Sequence, residues 1–261
     1  MTGYSLVAVR VAIVSSPRSG NMWLRRLLVA LCGLEERSAF TPDELDWDAL
    51  PERCALQFHW HPTAEFVGLL DRHGCSVVVL ARHPLDVLVS ILHFAQHEPA
   101  TDRWLDGEAG SEALLRGADT TSRAFVEYAK SPRARALLSV THEWWERADA
   151  RVRYESLVAD PAEELRRIAA ALRTPAAVSP AAAVENVQFT RLRQEAPNHH
   201  FWQGRVGLWQ ELVPTAVALE IAEAHPGMRR FGYTAGVDEA TALARWRAAA
   251  VPVERPLAQA S

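Results

Sequence analysis

The chain has almost no lysine: Lys130 is the only one among its 261 residues, and arginine carries the rest of the positive charge. The net charge of -4 shows none of the basic excess that indicates binding to nucleic acid or to an anionic membrane. No apolar run approaches the ~18 residues of a transmembrane helix. The first residues also lack the pattern of a secretory signal. We therefore expect a cytoplasmic protein that binds neither nucleic acid nor membranes.

Cysteines are few as well. Cys32, Cys54 and Cys75 lie far apart and form no C-x-x-C pair or metal-ligand spacing. This pattern indicates buried free thiols in a reducing compartment. Nothing else in the sequence indicates a bound metal.

Short apolar segments alternate with helical patterns along most of the chain. Candidate strands lie at 6–14, 54–58, 76–81 and 151–154, and candidate helices at 22–32, 62–74, 85–94, 161–172, 180–186, 214–225 and 238–250; helices also dominate 121–147. This alternation predicts an α/β fold with a central parallel sheet flanked by helices. The polar segment 97–117 is predicted as a loop or mobile segment. The length fits one domain over residues 1–250, followed by a frayed tail at 251–261.

The stretch "IVSSPRSGNMWLRRLL", residues 13–28, predicts a strand, a short polar loop and a helix. The main-chain N–H groups of residues 19–22 would lie at the helix N-terminus, where the helix dipole favours an anion. Arg18 and the hydroxyl of Ser19 add donors. The loop is not the G-x-x-x-x-G-K-(S/T) loop of nucleoside triphosphate enzymes, because no lysine follows Gly20. The pattern predicts either a phosphate or sulfate site or a plain strand-to-helix turn.

"SSPRSGNMW" resembles the 5′-phosphosulfate loop of the sulfotransferase family, commonly written T-Y-P-K-S-G-T-x-W. Matches fall at Pro17, Ser19, Gly20 and Trp23, and Arg18 replaces the lysine, as in the loop of carbohydrate sulfotransferases. The resemblance implies a three-layer P-loop-like fold and the donor 3′-phosphoadenosine 5′-phosphosulfate (PAPS). It also implies the following contacts: the segment Ser15, Pro17, Arg18, Ser19, Gly20, Asn21 and Met22 around the 5′-phosphate, Arg18 at the bridging oxygen, and Trp23 on the adenine.

"LARHPLDVLVS", which begins at Leu80, resembles the family's 3′-phosphate motif R-(N/D)-P-x-D-x-x-(V/L)-S. The matching positions are Arg82, Pro84, Asp86, Val89 and Ser90. Arg82 would lie at the carboxyl end of a strand, where ligands of open parallel sheets bind, and a guanidinium and a hydroxyl are good phosphate donors. Asp86 would repel an anion, so we expect it to cap or brace the turn.

Three later segments extend the resemblance to about residues 11–213. "RYESL" implies that Tyr154 lies beside the adenine, and "VENVQF" implies the same for Phe189. "WQGRVGLW" resembles the family's R-K-G-x-x-G-D-W segment, with Trp202 and Gln203 in place of the Arg-Lys pair. The donors left there for the 3′-phosphate are the side chains of Gln203 and Arg205 and the N–H of Gly204.

Transfer of a sulfuryl group to a hydroxyl needs a base, and histidine, with an ordinary pKa of about 6.5, suits that role. Alignment of the strand ends puts His59 on the family histidine and Gln57 on a family lysine. His61 would point the same way in an extended segment, so either histidine could be the base. With His59 as base, the resemblance implies in-line transfer in which Arg18 serves the leaving group and Ser90 restrains that arginine.

The acceptor is expected to be a small hydroxyl compound, such as a metabolite, natural product or sugar, modified in a bacterial cytoplasm. Candidate acceptor contacts are Trp60, His61 and His199. Two other classes stay open. An unusual P-loop kinase would need Mg²⁺ ligands and a phosphate-reaching lysine. A regulatory nucleotide-binding module would explain the departures at Gln57 and at 202–203. The sequence gives no indication of oligomeric state.

Overall fold

A computed structural model describes residues 8–188 and 202–236. Phe189 and His199 lie outside these ranges, as do the predicted helix 238–250 and the predicted tail. A single parallel sheet in the order β2-β3-β1-β4-β5 forms the centre of the described part. The strands are β1 (Val9–Val14), β2 (Glu35–Glu36), β3 (Arg53–Phe58), β4 (Cys75–Ala81) and β5 (Ala150–Arg153).

Helices cover both faces of the sheet. They are α1 (Asn21–Cys32), α2 (Ala64–Arg72), α3 (Pro84–Ala95), α4 (Arg123–Ala129), α5 (Pro132–Trp144), α6 (Tyr154–Ala159), α7 (Pro161–Ala171), α8 (Pro180–Asn186), α9 (Leu208–Leu212) and α10 (Thr215–Ala224). Short 3₁₀ turns lie at Pro42–Glu44, Pro99–Gly107, Ala113–Leu115, Trp145–Arg147 and Pro226–Phe231. None of the described helices is long and apolar enough to span a membrane.

The strands supply two cores because successive side chains point to opposite faces. Ile13 and Val78 pack with α1 and α7 on one face, whereas Val14 and Val79 pack with α3 and α5 on the other. A strand buried on both faces needs a nearly continuous apolar sequence, and "SVVVLA" has one. The predicted three-layer α/β fold is confirmed.

Most predicted elements agree with the structure to within a few residues. Helix α1 ends where predicted, at Gly33, which takes the left-handed conformation (φ 63°) typical of a helix C-terminus. The two-residue strand β2 is too short to leave a recognisable pattern in the sequence. The three cysteines are free; Cys32 and Cys54 are buried and Cys75 is half-buried.

The segment 97–117, predicted as a loop or mobile segment, is irregular but contains two 3₁₀ turns held by buried side chains. Glu112 and Arg133 are buried and form an ion pair at 2.9 Å. Arg133 also donates to the main-chain oxygens of Thr101, Trp104 and Glu108. One buried arginine on α5 thus fixes two 3₁₀ turns, and nothing in the local sequence of 97–117 shows that partner.

Candidate active site

The site lies at the carboxyl edge of the sheet, where three neighbouring strands end. Val14, the last residue of β1, is in register with Phe58 of β3 and with Val79 of β4. The residues that come after these strands therefore meet at one place, as expected for a parallel sheet. A cavity of about 290 Å³ opens there.

The loop after β1 wraps one end of this cavity. Ser15 Oγ donates to Asn21 Oδ1 at 2.6 Å, and Asn21 Nδ2 donates back to the main-chain oxygen of Ser16 at 3.2 Å. Arg18 (φ 64°) and Gly20 (φ 105°) both have left-handed backbones. These contacts turn the chain so that helix α1 begins at the cavity, with its first N–H groups directed toward any anion bound there.

The predicted loop residues separate into two groups. The residues that line the cavity are Arg18, Gly20, Asn21, Met22 and Trp23. Ser15, Pro17 and Ser19 are buried and do not line it. Trp23 meets Tyr154 edge-on with ring centroids 6.2 Å apart, and both rings line the cavity, so they form a site that fits a flat heterocycle.

Arg18, in this loop, lies next to Arg82. Arg18 Nε donates to Ser90 Oγ at 3.2 Å, and its guanidinium lies 4.2 Å from the ring centroid of Phe94. Arg82 Nη1 donates to the main-chain oxygen of Arg18 at 3.1 Å. Burial, and then the charge of Arg82, lowers the pKa of Arg18 to about 9. Two neighbouring cations of this kind favour an anionic ligand.

Arg82 also connects the loop to two other segments. Its Nη2 donates to the main-chain oxygen of Arg205 at 3.1 Å, and its guanidinium covers the ring of Tyr154 at 4.4 Å. Its Nε is buried and has no hydrogen-bond partner among the residues that the structure describes. A buried donor without a partner is costly, so this nitrogen is well placed for a ligand oxygen.

Residues 202–207, called the glycine segment below, close the end of the cavity where Arg82 lies. Gln203, Gly204 and Arg205 line it, and the main-chain oxygen of Gly204 accepts from Tyr154 Oη at 3.0 Å. The side chain of Arg205 is half-exposed and pairs with Glu211, which offsets the positive charge expected to serve the 3′-phosphate. Trp202, the main departure from the family pattern, stacks on His93 with centroids 4.1 Å apart.

Asp86 braces this glycine segment. Its two oxygens accept from the N–H groups of Gly207 and Trp209, at 2.8 and 2.9 Å, so it caps α9. Asp86 was expected to cap or brace its own turn, but the turn that it braces lies 121 residues away in sequence.

His59 stands beside the loop. Its Nδ1 lies 2.7 Å from the main-chain oxygen of Ser15, and its Nε2 lies 3.5 Å from Gln57 Nε2. Burial lowers the pKa of His59 to about 4; the Ser15 bond opposes this effect, and the charges of Arg18 and Arg25 add to it. The imidazole is therefore neutral at pH 7 and can accept a proton.

Two predicted acceptor contacts lie away from the cavity. Trp60 packs against the core, and its main-chain oxygen accepts from Trp144 Nε1 at 2.7 Å. His61 Nδ1 lies 2.9 Å from Glu143 Oε2. Neither residue lines the cavity, whereas His59 does.

Sequence reasoning missed several residues that line the cavity. They include Arg25, Ser38, Phe40, Phe94 and Glu98. Arg25 lies four residues after Asn21 on the same helix, so helical spacing could have found it. Phe40 comes from an irregular segment that carries no such signal. Within residues 8–188 and 202–236, no group of three or more His, Cys, Asp or Glu side chains could hold a metal ion.

Comparison with known proteins gives a family and a fold. The model of the sulfotransferase domain matches residues 9–213. No curated protein sequence matches the chain. The structure resembles mouse sulfotransferase SULT7A1 complexed with PAP, at 20% identity and a TM-score of 0.65, over 93% of this chain and 90% of that one. It also resembles retinol dehydratase in a complex with retinol and PAP, at 16% identity and a TM-score of 0.56, over 85% and 82%. At these identities the two structures show a shared fold.

Proposed function

The chain belongs to the sulfotransferase domain family, and on that premise we propose that it transfers the sulfuryl group of PAPS to a hydroxyl of a small-molecule acceptor. When bound, the donor supplies the transferable group: the bond between sulfur and the 5′-phosphate oxygen breaks as a bond between sulfur and the acceptor oxygen forms in line, which leaves adenosine 3′,5′-bisphosphate (PAP). Cytoplasmic location and bacterial origin stay predictions from the sequence.

The observation that carries the proposal is the pair of Arg18 and Arg82 with the partnerless Nε of Arg82 in the described structure. Two neighbouring guanidiniums, one backed by a helix N-terminus, suit a ligand with two separate phosphate-type groups. We assign the N–H groups of the first turn of α1 and Arg18 to the 5′-phosphosulfate. We assign Arg82, Gln203 and the N–H of Gly204 to the 3′-phosphate.

The aromatic edge of the cavity supports a base-binding role. Trp23 and Tyr154 line it beside Arg82, and a Cβ on Gly20 would lie 2.6 Å from the Tyr154 ring. Only glycine fits at that position, which brings the loop against the ring. We assign these two rings to the adenine.

His59 is the proposed general base. Because a carbonyl oxygen only accepts, the 2.7 Å contact with Ser15 keeps the imidazole proton on Nδ1, which leaves the lone pair on Nε2. His59 Nε2 takes the proton of the acceptor hydroxyl. Arg18 stabilises the negative charge that develops on the leaving phosphate. Ser90 holds Arg18 through the 3.2 Å hydrogen bond, which supports the predicted restraint of that arginine.

Calorimetric titration tests the proposal. PAP should bind with micromolar affinity and more tightly than ATP with Mg²⁺. Arg82→Ala should weaken PAP binding by about 2 kcal/mol, the usual loss for a hydrogen bond to a charged group. Arg123→Ala is the matched control, because Arg123 is highly exposed and pairs only with Glu127 in the described structure; it should leave the affinity unchanged. Tighter binding of Mg²⁺-ATP, or no binding of PAP, would reject the proposal.

A further inference from the structure

Besides Arg18, Arg82 and Arg205, the cavity contains a fourth arginine, Arg25, which lies toward the opposite edge of the sheet from Arg82. Arg25 lies one helical turn beyond Asn21 on α1, is only 7% exposed, and lines the cavity together with Gln57 and His59. Any role of Arg25 toward an acceptor rests on the proposed function, because the acceptor belongs to the same reaction.

The strand order separates Arg25 from the part of the cavity assigned to PAPS, where Arg18 and Arg82 lie. Arg25 contacts Glu36 on the edge strand β2, whereas Arg82 comes after β4, on the far side of β3 and β1. His59 comes after β3, between them. A group bound at Arg25 would therefore lie on the acceptor side of His59, away from the side where Arg18 and Arg82 lie.

The charge of Arg25 is only weakly matched. Glu36 is the one carboxylate that pairs with it in the described structure, at 3.7 Å from Arg25 Nη2, and Glu36 lies closer to Arg26 Nε, at 3.0 Å. Arg25 Nε is buried and has no hydrogen-bond partner among the described residues, and the same holds for Gln57 Oε1. A nine-tenths buried guanidinium with an unused donor at a cavity wall indicates a missing acceptor group.

Several walls of the cavity are aromatic. Phe40, just after β2, and Trp104 line the cavity, and so does Phe94, whose ring covers the Arg18 guanidinium. Such a site suits a planar or apolar body that carries one charged group. Glu98 lines the cavity too, so a cationic group is the competing possibility that the test must separate.

We propose that Arg25 binds an anionic group of the acceptor, so that the acceptors are hydroxyl compounds with an aromatic or apolar body and a carboxylate, sulfate or phosphate group. The hydroxyl then lies at His59 and the anionic group at Arg25. An arginine binds such groups through paired N–H donors.

Three phenols of matched size test the charge: 4-hydroxyphenylacetate, 4-hydroxyphenylacetamide and tyramine. Each is titrated into the PAP-saturated protein, with tryptophan fluorescence as the readout, because Trp23, Trp104 and Trp202 line the cavity. The carboxylate should bind about tenfold more tightly than the amide, as expected for one charge-assisted contact, and tyramine should bind most weakly.

Variants then assign the preference. Arg25→Gln should bring carboxylate and amide to within about twofold of each other, since it removes that contact. Arg37→Gln removes the same charge from an exposed position near β2 that does not line the cavity, and it should keep the preference. PAP affinity and thermal midpoint show whether Arg25→Gln is folded; if it is not, the three-phenol series on the unmodified protein still decides the charge preference.

The outcomes separate this inference from the proposed function. Failure of PAP to bind rejects the sulfotransferase proposal. Four results, each obtained while PAP still binds, would overturn the role of Arg25. They are no preference for the carboxylate, tighter binding of tyramine, a preference that survives Arg25→Gln, and no binding of any of the three phenols. If Arg25→Gln lowers kcat equally for all three phenols and leaves their affinities unchanged, Arg25 serves the leaving group instead, and the inference is wrong.

Discussion

His59 Nδ1 lies 2.7 Å from the main-chain oxygen of Ser15, the first residue after β1. The contact joins the side chain that follows β3 to the backbone of the loop that follows the neighbouring strand β1 (residues 15–20, the anion loop). The loop thereby sets the tautomer of the imidazole and directs Nε2 to the cavity. A base that is oriented by the same loop that would hold the donor is correctly placed only when that loop is folded.

Replacement of His59 by Gln should lower kcat by about 10²- to 10⁴-fold, the usual contribution of a general base. PAP affinity should change little, because His59 lies outside the groups assigned to the phosphates. Sulfate transfer to a phenol and calorimetry with PAP measure the two effects. His61→Gln is the matched control, because His61 pairs with Glu143 away from the cavity and should leave kcat unchanged. A large loss in the His61 variant would reverse the assignment.

The pH dependence of kcat/KM should be flat between about pH 5 and 8 for the free enzyme. His59 must be neutral to accept a proton, and its lowered pKa of about 4 means that activity falls only as the pH drops through that value. Arg18 must be charged, and its pKa of about 9 places the alkaline decline near there. A histidine with an ordinary pKa of about 6.5 would instead lose about eightfold between pH 7 and 5.5, and that result would contradict the assignment.

The sequence placed several candidate site residues at one edge of the sheet because they lie directly after strand ends. Arg18, His59 and Arg82 come just after β1, β3 and β4, and parallel strands bring their carboxyl ends together. Trp60 and His61 were also expected near the cavity but do not line it, and the reason is physical. The expectation that His59 and His61 point the same way assumed a strand that continues past Phe58, but β3 ends there.

Other contacts around the site form only once the chain has folded. The ion pair of Arg205 with Glu211, and the hold of Arg133 on the segment around Trp104, arise only when the chain is packed. Neither leaves a periodic pattern. Composition therefore predicted a loop or mobile segment at 97–117, where the structure has a buried ion pair.

Gly20→Ala should lower the free energy of unfolding by about 2–4 kcal/mol, from the left-handed backbone and from overpacking. The new Cβ would lie 2.6 and 2.7 Å from two carbons of the Tyr154 ring, so the ring or the loop must shift. Urea unfolding measured by tryptophan fluorescence gives the loss. Gly68→Ala in α2 is the control: nothing lies within 4 Å of its Cβ, and alanine should stabilise the helix by about 0.5–1 kcal/mol. Equal effects at both positions would contradict the steric argument.

Loss of the Glu112 carboxylate should be strongly destabilising. Glu112 is fully buried, accepts from Tyr128 Oη at 2.8 Å and pairs with Arg133 at 2.9 Å. Glu112→Ala would leave a buried guanidinium without its counter-charge, which typically costs about 3–5 kcal/mol. Urea unfolding measures the loss, and Glu127→Ala, which breaks only the exposed pair with Arg123, should stay within experimental error.

Disruption of the Glu112 network should also affect the acceptor and not the donor. Arg133 donates to the main-chain oxygen of Trp104 at 2.9 Å, and Trp104 lines the cavity but is assigned neither to the phosphates nor to the adenine. At a temperature where Glu112→Gln stays folded, the KM for a phenol should therefore rise while PAP affinity is kept, because Arg18 and Arg82 bond to other groups, at Ser90 and within the anion loop. A parallel loss of PAP affinity would show that the segment 97–117 supports the whole cavity and not its acceptor wall alone.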